Sequence, residues 1–552
     1  MPNKAASPAA VLAREARRPH APPAARVLPD GTRMSVSQLP SRAASAGGWV
    51  RRAGLVAGPL AAIACYIATP ESYVGAGGEP IVLGHAGRAT LAMLAWMALW
   101  WMTEAVEIEV TALLPIAAFP LFGIAPLAQA AAPYASDVIF LFLGGFVLGA
   151  AIQRWGLDRR IALATLRLVG PRPERMVGGV MLATAAVSMW VSNTATAAMM
   201  LPVALSLIDL ALRRRTGKGL AEAGGVPDED VALRNFALAL LLGVAWAASI
   251  GGMSTIIGSP PNGILVRFVE QTYGREISFA LWLAVGLPTG LLMLPAAWLL
   301  LTRAVYPVRG AAIEGWRELI EAQYRALGPL GAGERATLAV FVAAVILWVT
   351  RPFAAGLSVG GVAPFAGLTD SGIAIAAAIA LFLFPADRAR GLRAMDWKSA
   401  QRLPWGVLIL FGGGLSLATA IEANGVAAWL GALAGHSAGW PAWAIVLALV
   451  GFSVFLSEFT SNTAQVATML PIVGAMSPAL GVEPQMLLVA CTLAASCAFM
   501  MPVGTPPNAI VFGAGILTIP QMMRAGFWLN VVAIFVITSL ALAVIGPLFA
   551  AR

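Results

Sequence analysis

Charge is scarce in this 552-residue chain: Asp, Glu, Lys and Arg make up 11% of it, against 59% hydrophobic residues. A soluble protein of this size could not cover its surface with so few charges, so the composition argues for an all-α polytopic membrane protein. Cysteine is equally sparse. Cys65, Cys491 and Cys497 all fall in apolar stretches, at spacings that fit neither a disulfide framework nor a zinc site, and read as small buried residues. The three histidines, His20, His85 and His436, are scattered. His-Glu-x-x-His does not occur, which leaves a membrane-embedded enzyme of the common metal type without support. No apolar run precedes about residue 54, which argues against a cleaved secretory signal. The first 50 residues, rich in Ala, Pro and Arg, read as a disordered basic cytoplasmic tail. An organelle transit peptide would share that composition, and Met34 is an alternative start.

Long apolar segments fill the remainder. Leu55–Ile67, Leu91–Met102, Val138–Ile152, Ala237–Ile250, Ala336–Val349 and Phe527–Leu548 each anchor a segment of the ~20 residues that a ~30 Å hydrocarbon core requires. Eleven spans are expected. The net charge of +9 could suggest nucleic acid, but the positions of the basic residues decide otherwise. Nine Lys/Arg precede the first span, and the loops near 154–175, 213–234, 303–335 and 388–402 hold six, five, five and five. Arg524 adds one, so 31 of 36 lie on alternate sides of the spans, while 70–87, 351–370, 424–440 and 477–485 are nearly bare. This is the positive-inside pattern. It predicts a multi-pass protein of the cell (inner) membrane with a cytoplasmic N-terminus and, after an odd number of spans, an extracytoplasmic C-terminus.

The chain also repeats itself. "FLGGFVLGAAIQRWG" from Phe142 aligns with "FGGGLSLATAIEANG" from Phe411 at an offset of 269, and there Ser192-Asn193-Thr194 meets Ser461-Asn462-Thr463. "GSPPNGILV" from Gly258 matches "GTPPNAIVF" from Gly504 at an offset of 246; the basic-acidic insertion around 213–235 accounts for the difference. Arg172, Arg175 and Arg213–Arg215 flank the first Ser-Asn-Thr segment, whereas the second is flanked by segments without Lys or Arg. The copies therefore enter from opposite faces, as an inverted repeat of residues 51–303 and 336–552 joined by a cytoplasmic linker at 304–335. Met176–Val191, 16 residues or about 24 Å of helix, is short for a span. With its polar apex it reads as one arm of a re-entrant hairpin, tolerable at membrane depth only where it faces protein or water. The first arm of the second copy, from about Trp440, reads as longer.

Each half thus interrupts its helices twice, at Ser-Asn-Thr and at Gly-(Ser/Thr)-Pro-Pro-Asn. The prolines free carbonyls near Gly258 and Gly504. Broken helix ends suit anions at their N-termini and cations at their C-termini. Neutral hydroxyl, amide and carbonyl oxygens suit hard cations such as Na⁺. Two such sets meeting near the midplane would bind a small anion with cations beside it. No Lys or Arg lies within either motif, so a bound dianion lacks a fixed countercharge, and co-bound cations would both neutralise it and couple its uptake to an ion gradient. Glu458, whose repeat partner is Met189, reads as a hydrogen-bonded structural carboxylate, with a protonatable coupling group as the alternative. Glu104, Glu107 and Glu109 read as structural residues at a cytoplasmic span end.

The stretches "SNTATAAMMLP", "SEFTSNTAQVATMLP", "GSPPN", "GTPPNAIVFG" and "TEAVEIEVTALLP" resemble the divalent-anion:Na⁺ symporter family, which includes sodium-coupled dicarboxylate and citrate carriers. The likeness covers roughly residues 54–550. It implies eleven spans plus two re-entrant hairpins, a homodimer, and a transport domain (about 176–303 plus 440–552) moving like an elevator against a scaffold. By resemblance, carboxylate contacts fall on Asn193, Thr194, Asn462 and Thr463, with Ser259, Thr505 and Pro506 flanking the same space. A first sodium site falls on Ser188, Ser192, Asn193 and the Gly258 region, and a second on Ser457, Thr460, Asn462 and the Gly504 region. Glu107 and Glu109 stand where the family pattern has prolines, so that span end is expected to differ locally. The expectation is Na⁺-coupled import of C4-dicarboxylates such as succinate, malate or fumarate. An exchanger or a citrate or sulfate carrier is the alternative within the family, and an anion channel the alternative outside it.

Overall fold

The computed structural model describes residues 44–74, 79–220, 222–227, 229–308, 313–357, 362–387, 391–434 and 439–550. Most of the tail expected at 1–50 lies outside them, as do His20 and His436. The described residues from Ala53 onward belong to one compact unit. Helices build this unit; its described strands are two small antiparallel ribbons, Ser72–Val74 with Pro80–Val82 and Pro385–Asp387 with Leu392–Arg393.

Eight helices among the described residues are long and apolar enough to cross a membrane. Four shorter apolar stretches, Ile108–Leu121, Asp370–Leu383, Ala442–Leu456 and Pro484–Ala495, fall short of that length. Pro484–Ala495 shows why: its 12 residues give about 18 Å before the chain leaves the helix ahead of the second Pro-Pro pair. Burial sorts the long helices. Val231–Met253 is wholly wrapped by protein, whereas Ala332–Ala355 presents Ile346, Leu347 and Phe353 outward, as a lipid-facing helix does.

The repeated sequence folds into repeated helices. In the first half these are α1 (Asp137–Arg154), α2 (Leu157–Arg167), α3 (Pro173–Ser188), α4 (Asn193–Thr216), α5 (Val231–Met253) and α6 (Pro260–Tyr273). Their counterparts are α7 (Trp405–Ala423), α8 (Val426–Ala434), α9 (Ala442–Leu456), α10 (Asn462–Met476), α11 (Pro484–Ala495) and α12 (Pro506–Phe512). Leu157 and Val426, Pro173 and Ala442, Asn193 and Asn462, and Pro260 and Pro506 are sequence equivalents, and each starts its helix. Before α2 and α8 the chain turns through Gly156 (φ 71°) and Gly425 (φ 75°), a left-handed conformation that side chains resist. The duplicated Gly-Gly pairs serve close packing. A Cβ on Gly144 would lie 2.5 Å from the Ala374 backbone, and one on its equivalent Gly413 would lie 2.3 Å from the Ala112 carbonyl.

The two halves meet at equivalent residues. Phe142 of α1 and Phe411 of α7 pack edge to face with centroids 4.9 Å apart. A residue can touch its own counterpart only near an axis relating the halves. The return helix of each Ser-Asn-Thr hairpin packs on the Pro-Pro helix of the other half, α4 on α12 and α10 on α6. At the end of the "TEAVEIEV" span, His85–Thr103 stops at Glu104 in a left-handed conformation (φ 46°), and two short helices follow, Ile108–Thr111 and Leu114–Leu121.

Candidate functional site

In the first half α3 has 16 residues and stops at Ser188; the chain turns through Met189–Val191, and Ser192 caps α4 by accepting the Ala195 N–H at 3.4 Å. The Ser188 hydroxyl lies 2.7 Å from both Asn193 Oδ1 and the Ala248 carbonyl. Asn193 fits only because residue 252 is glycine: a Cβ there would sit 2.3 Å from Asn193 Oδ1. Two prolines at the start of α6 prevent α5 from running on, and residues 254–259 form the break. Asn262 Nδ2 closes it by donating to the Gly252 and Thr255 carbonyls at 3.1 and 2.8 Å. Thr255 Oγ1 donates to the Met189 carbonyl at 2.5 Å and accepts the Gly258 N–H at 3.0 Å, which ties hairpin turn to break. Gly258 lies against the Gly252 and Met189 carbonyls. Hydroxyl, amide and carbonyl oxygens therefore crowd together with no charged side chain bonded among them. That donor set suits a hard monovalent cation.

The second half repeats the frame. Asn508 Nδ2 donates to the Ala498 and Met501 carbonyls, both at 3.0 Å, which are the counterparts of Gly252 and Thr255. Its α9 arm has 15 residues, no longer than α3, contrary to the longer arm expected from about Trp440. The Ser457 hydroxyl bonds the Val454 carbonyl at 2.7 Å and the Cys497 carbonyl at 3.3 Å. Thr460 Oγ1 bonds Gln465 Oε1 at 3.2 Å, and Gln465 Nε2 donates to the Ser453 carbonyl at 2.9 Å. Asn462 Oδ1 is buried without a hydrogen-bond donor. Here a carboxylate ties turn to break: Glu458 accepts the N–H groups of Phe499 (2.8 Å), Met500 (3.0 Å) and Met501 (2.9 Å), and the Asn530 amide at 2.7 Å.

The sequence-expected residues divide by exposure. Ser188, Gly258, Ser259, Ser457, Thr460, Gly504 and Thr505 are buried; Asn193, Asn462 and Thr463 are half-buried; Ser192, Thr194 and Pro506 are exposed. The breaks themselves come together. Cys497 Sγ lies 4.0 Å from Met253 Sδ, and the rings of Trp246 and Phe499 are 5.8 Å apart. Thr255 and Asn530 were not singled out from sequence. Thr255 lies two residues beyond the α5 terminus and carries no motif signal; a lone Asn in the apolar helix Ile519–Leu540 was a signal that could have been followed.

A cleft lies away from the breaks. It encloses about 620 Å³ between α6 and α10 on one side and α7 and α8 on the other, with Phe268, Tyr273, Glu422 and Gly474 in its lining. Beside it, Arg267 of α6 pairs with Asp137 of α1 at 3.0 Å, and Gln271 of α6 donates to Thr419 of α7.

Residues 73–550 match the family model described as "Sodium:sulfate symporter transmembrane region". The chain is 38% identical, over 495 residues, to the sodium-dependent dicarboxylate transporter SdcS of Staphylococcus saprophyticus subsp. saprophyticus, covering 90% of this chain and 91% of that protein. SdcS of Staphylococcus aureus is 40% identical over 460 residues, covering 83% and 86%. Among solved structures, the YdaH transporter of Alcanivorax borkumensis superposes with a TM-score of 0.53 at 14% identity, covering 90% of this chain and 97% of that one. MtrF of Neisseria gonorrhoeae, described within a class of antimetabolite efflux pumps, gives 0.54 at 13% identity, covering 90% and 95%. These two likenesses concern the fold alone.

Proposed function

The chain belongs to the sodium:sulfate symporter family, the divalent-anion:Na⁺ symporters, whose members are multi-pass membrane transporters and not enzymes, and from that premise we propose that it couples Na⁺ entry to the import of C4-dicarboxylates such as succinate, malate and fumarate. One observation carries the reading: two equivalent helix breaks, each closed by an Asn amide and rich in neutral oxygens, packed against each other. The relatives named above as sodium-dependent dicarboxylate transporters support the same substrate class.

The half-buried or exposed Asn193, Thr194, Asn462 and Thr463 receive the two carboxylates at the N-terminal ends of α4 and α10, with Ser259, Thr505 and Pro506 beside them. Ser188, Ser192, Asn193 and the Gly258 backbone take one Na⁺; Ser457, Thr460, Asn462 and the Gly504 backbone take another. With no Lys or Arg in either motif, the cations supply the countercharge, so anion affinity rises with Na⁺ and Na⁺ affinity with anion. The cleft between α6/α10 and α7/α8 follows the boundary between a transport domain (about 176–303 plus 440–552) and a scaffold, which supports elevator-type alternating access in a homodimer. The N-terminus is cytoplasmic and the C-terminus extracytoplasmic in this reading.

Because the family description names sulfate, a sulfate carrier is the second reading, and a dicarboxylate exchanger or a citrate carrier shares the fold. Uptake of radiolabelled succinate into proteoliposomes separates them. Symport predicts uptake driven by external Na⁺ and not K⁺, without internal dicarboxylate, and competed by malate but not by sulfate. Uptake equal in K⁺ and dependent on internal dicarboxylate would replace symport with exchange; competition by sulfate alone would replace the substrate.

A further inference from the structure

Resting on the two-domain transport reading, we propose that the cleft between α6/α10 and α7/α8 is a regulatory site for a drug-sized amphiphile with a cationic head and an apolar tail. Bound there, such a molecule joins the two domains and arrests transport. Small side chains create the space: Ala427, Ala428, Gly431 and Ala432 on α8 line it opposite Gly474 and Ala475 on α10. Its volume of about 620 Å³ and mainly apolar walls suit a drug-sized ligand. Among the described residues, Glu422 is the one charged side chain of the lining, and it is exposed and makes no ion pair. Basic residues on α6 and just beyond it do not offset that charge. Arg267 is held by Asp137 and Glu270 at 3.0 and 3.1 Å, and Arg275 by Glu483 at 3.2 Å.

Three aromatic rings stand in the same lining. Phe268 and Tyr273 meet edge to face with centroids 6.3 Å apart, and the Tyr273 hydroxyl is fixed on the Gly474 carbonyl at 3.1 Å. Tyr73 comes from the ribbon Ser72–Val74. An unpaired carboxylate among aromatic faces attracts an ammonium group, and the apolar remainder takes a hydrocarbon tail. The same carboxylate repels the transported dianion, which keeps this cleft distinct from the paired breaks. Its walls include residues of 70–87, 424–440 and 477–485, the segments nearly bare of Lys and Arg, so its mouth is extracytoplasmic in this reading. Those walls also belong to both domains: α6 and α10 to the transport domain, α7 and α8 to the scaffold. A ligand fitted to their present spacing stabilises this arrangement over any in which the domains have slid, and so slows cycling without entering the anion pocket.

The test uses octyltrimethylammonium, with octanoate and octanol as controls for head charge, against the full-length protein in vesicles of phosphatidylcholine and phosphatidylglycerol. In Na⁺-driven succinate uptake the cation is expected to lower Vmax even at saturating succinate, at concentrations about tenfold below those of either control. Glu422→Gln keeps uptake and raises the inhibitory concentration about tenfold. Ala432→Phe fills the cleft and removes saturable binding of radiolabelled octyltrimethylammonium. Inhibition relieved by succinate with Vmax unchanged would put the cation in the anion pocket and overturn the proposal. Equal potency of the three compounds, or equal potency of the cation on wild type and Glu422→Gln, would reduce the effect to bilayer perturbation and overturn it too. Should Glu422→Gln not be recovered folded, undiminished binding to Ala432→Phe overturns it equally. Glu422-dependent inhibition that appears only without phosphatidylcholine would give the cleft to a lipid headgroup and overturn the proposed occupant. Glu422-dependent binding in a wild type that takes up no succinate with Na⁺ would overturn the transport reading while supporting the site; Na⁺-driven uptake without such binding would overturn the site alone.

Discussion

The two halves of the molecule use the same backbone construction with different chemistry. In each, an Asn amide at the start of the Pro-Pro helix clasps two carbonyls of the break, and these carbonyls are sequence equivalents. The first half then ties its hairpin turn to the break through Thr255 and Met189, the second through Glu458. The short helices after the duplicated glycines diverge as well. α2 carries Asp158, Arg159, Arg160 and Arg167, whereas α8 reads "VAAWLGALA". Within α2, Arg160 is buried against Glu334 at 2.7 Å and also reaches the Gly328 carbonyl. Duplication preserved what holds the backbone open at membrane depth, and divergence acted on charge. Unlike surroundings give the reason: charge near a basic loop costs little, while a carboxylate among apolar segments must be caged by donors, as Glu458 is.

The strongest way to break this comparison is to remove the asparagines. Asn193→Ala and Asn462→Ala are each expected to lower succinate uptake by roughly ten- to a hundredfold, the loss of one or two hydrogen bonds to a charged ligand. Their stabilities should differ. Asn193 holds an internal bond to Ser188, so its variant loses about 1 kcal/mol, while Asn462 Oδ1 has no protein donor to lose. Thermal unfolding in detergent without substrate measures that difference. Near-normal transport by both variants would reduce the motifs to scaffolding.

The next effect sharpens the contrast at the breaks. Gly252→Ala drives a methyl into Asn193 and should reduce uptake by about tenfold, with about 1–3 kcal/mol of destabilisation from overpacking. The reverse change at the equivalent position, Ala498→Gly, should leave uptake within about twofold and cost about 1 kcal/mol or less. Equal transport defects in the two would show that residue 252 does not set the position of Asn193.

The smallest effect concerns the charged helix α2. Burial pushes the Asp158 carboxyl up to about 6, against the opposing hydrogen bond from the Arg159 N–H. A folded-state value raised above the unfolded one means that stability from this group is present below about pH 4 and is lost as pH rises through about 6. Asp158→Asn should therefore raise the unfolding temperature at pH 7.5, by the equivalent of about 1 kcal/mol, and flatten the fall in stability between pH 4 and 6. An unchanged slope would remove Asp158 from the account.

The frame of this fold was largely legible in the sequence because it is written twice. Gly156 with Gly425 and Gly144 with Gly413 align as glycines since a turn or a close approach demands it, and Asn262 with Asn508 align because both clasp a break. What escaped sequence reading depends on partners far along the chain. Asn530 meets Glu458 across 72 residues, and Thr255 meets Met189 across 66, with no periodicity to mark either contact. The interruptions were legible too, because Ser-Asn-Thr and Pro-Pro stand out as polar or helix-breaking residues inside apolar segments.

The most direct test of the paired site is the binding of succinate to the purified protein by calorimetry, in Na⁺ and in K⁺, for wild type and the two Asn variants. One shared pocket filled by anion and cations predicts binding at least tenfold tighter in Na⁺ for wild type and strongly weakened by either substitution. Equal affinity in both salts, or binding that survives both Asn193→Ala and Asn462→Ala, would contradict it.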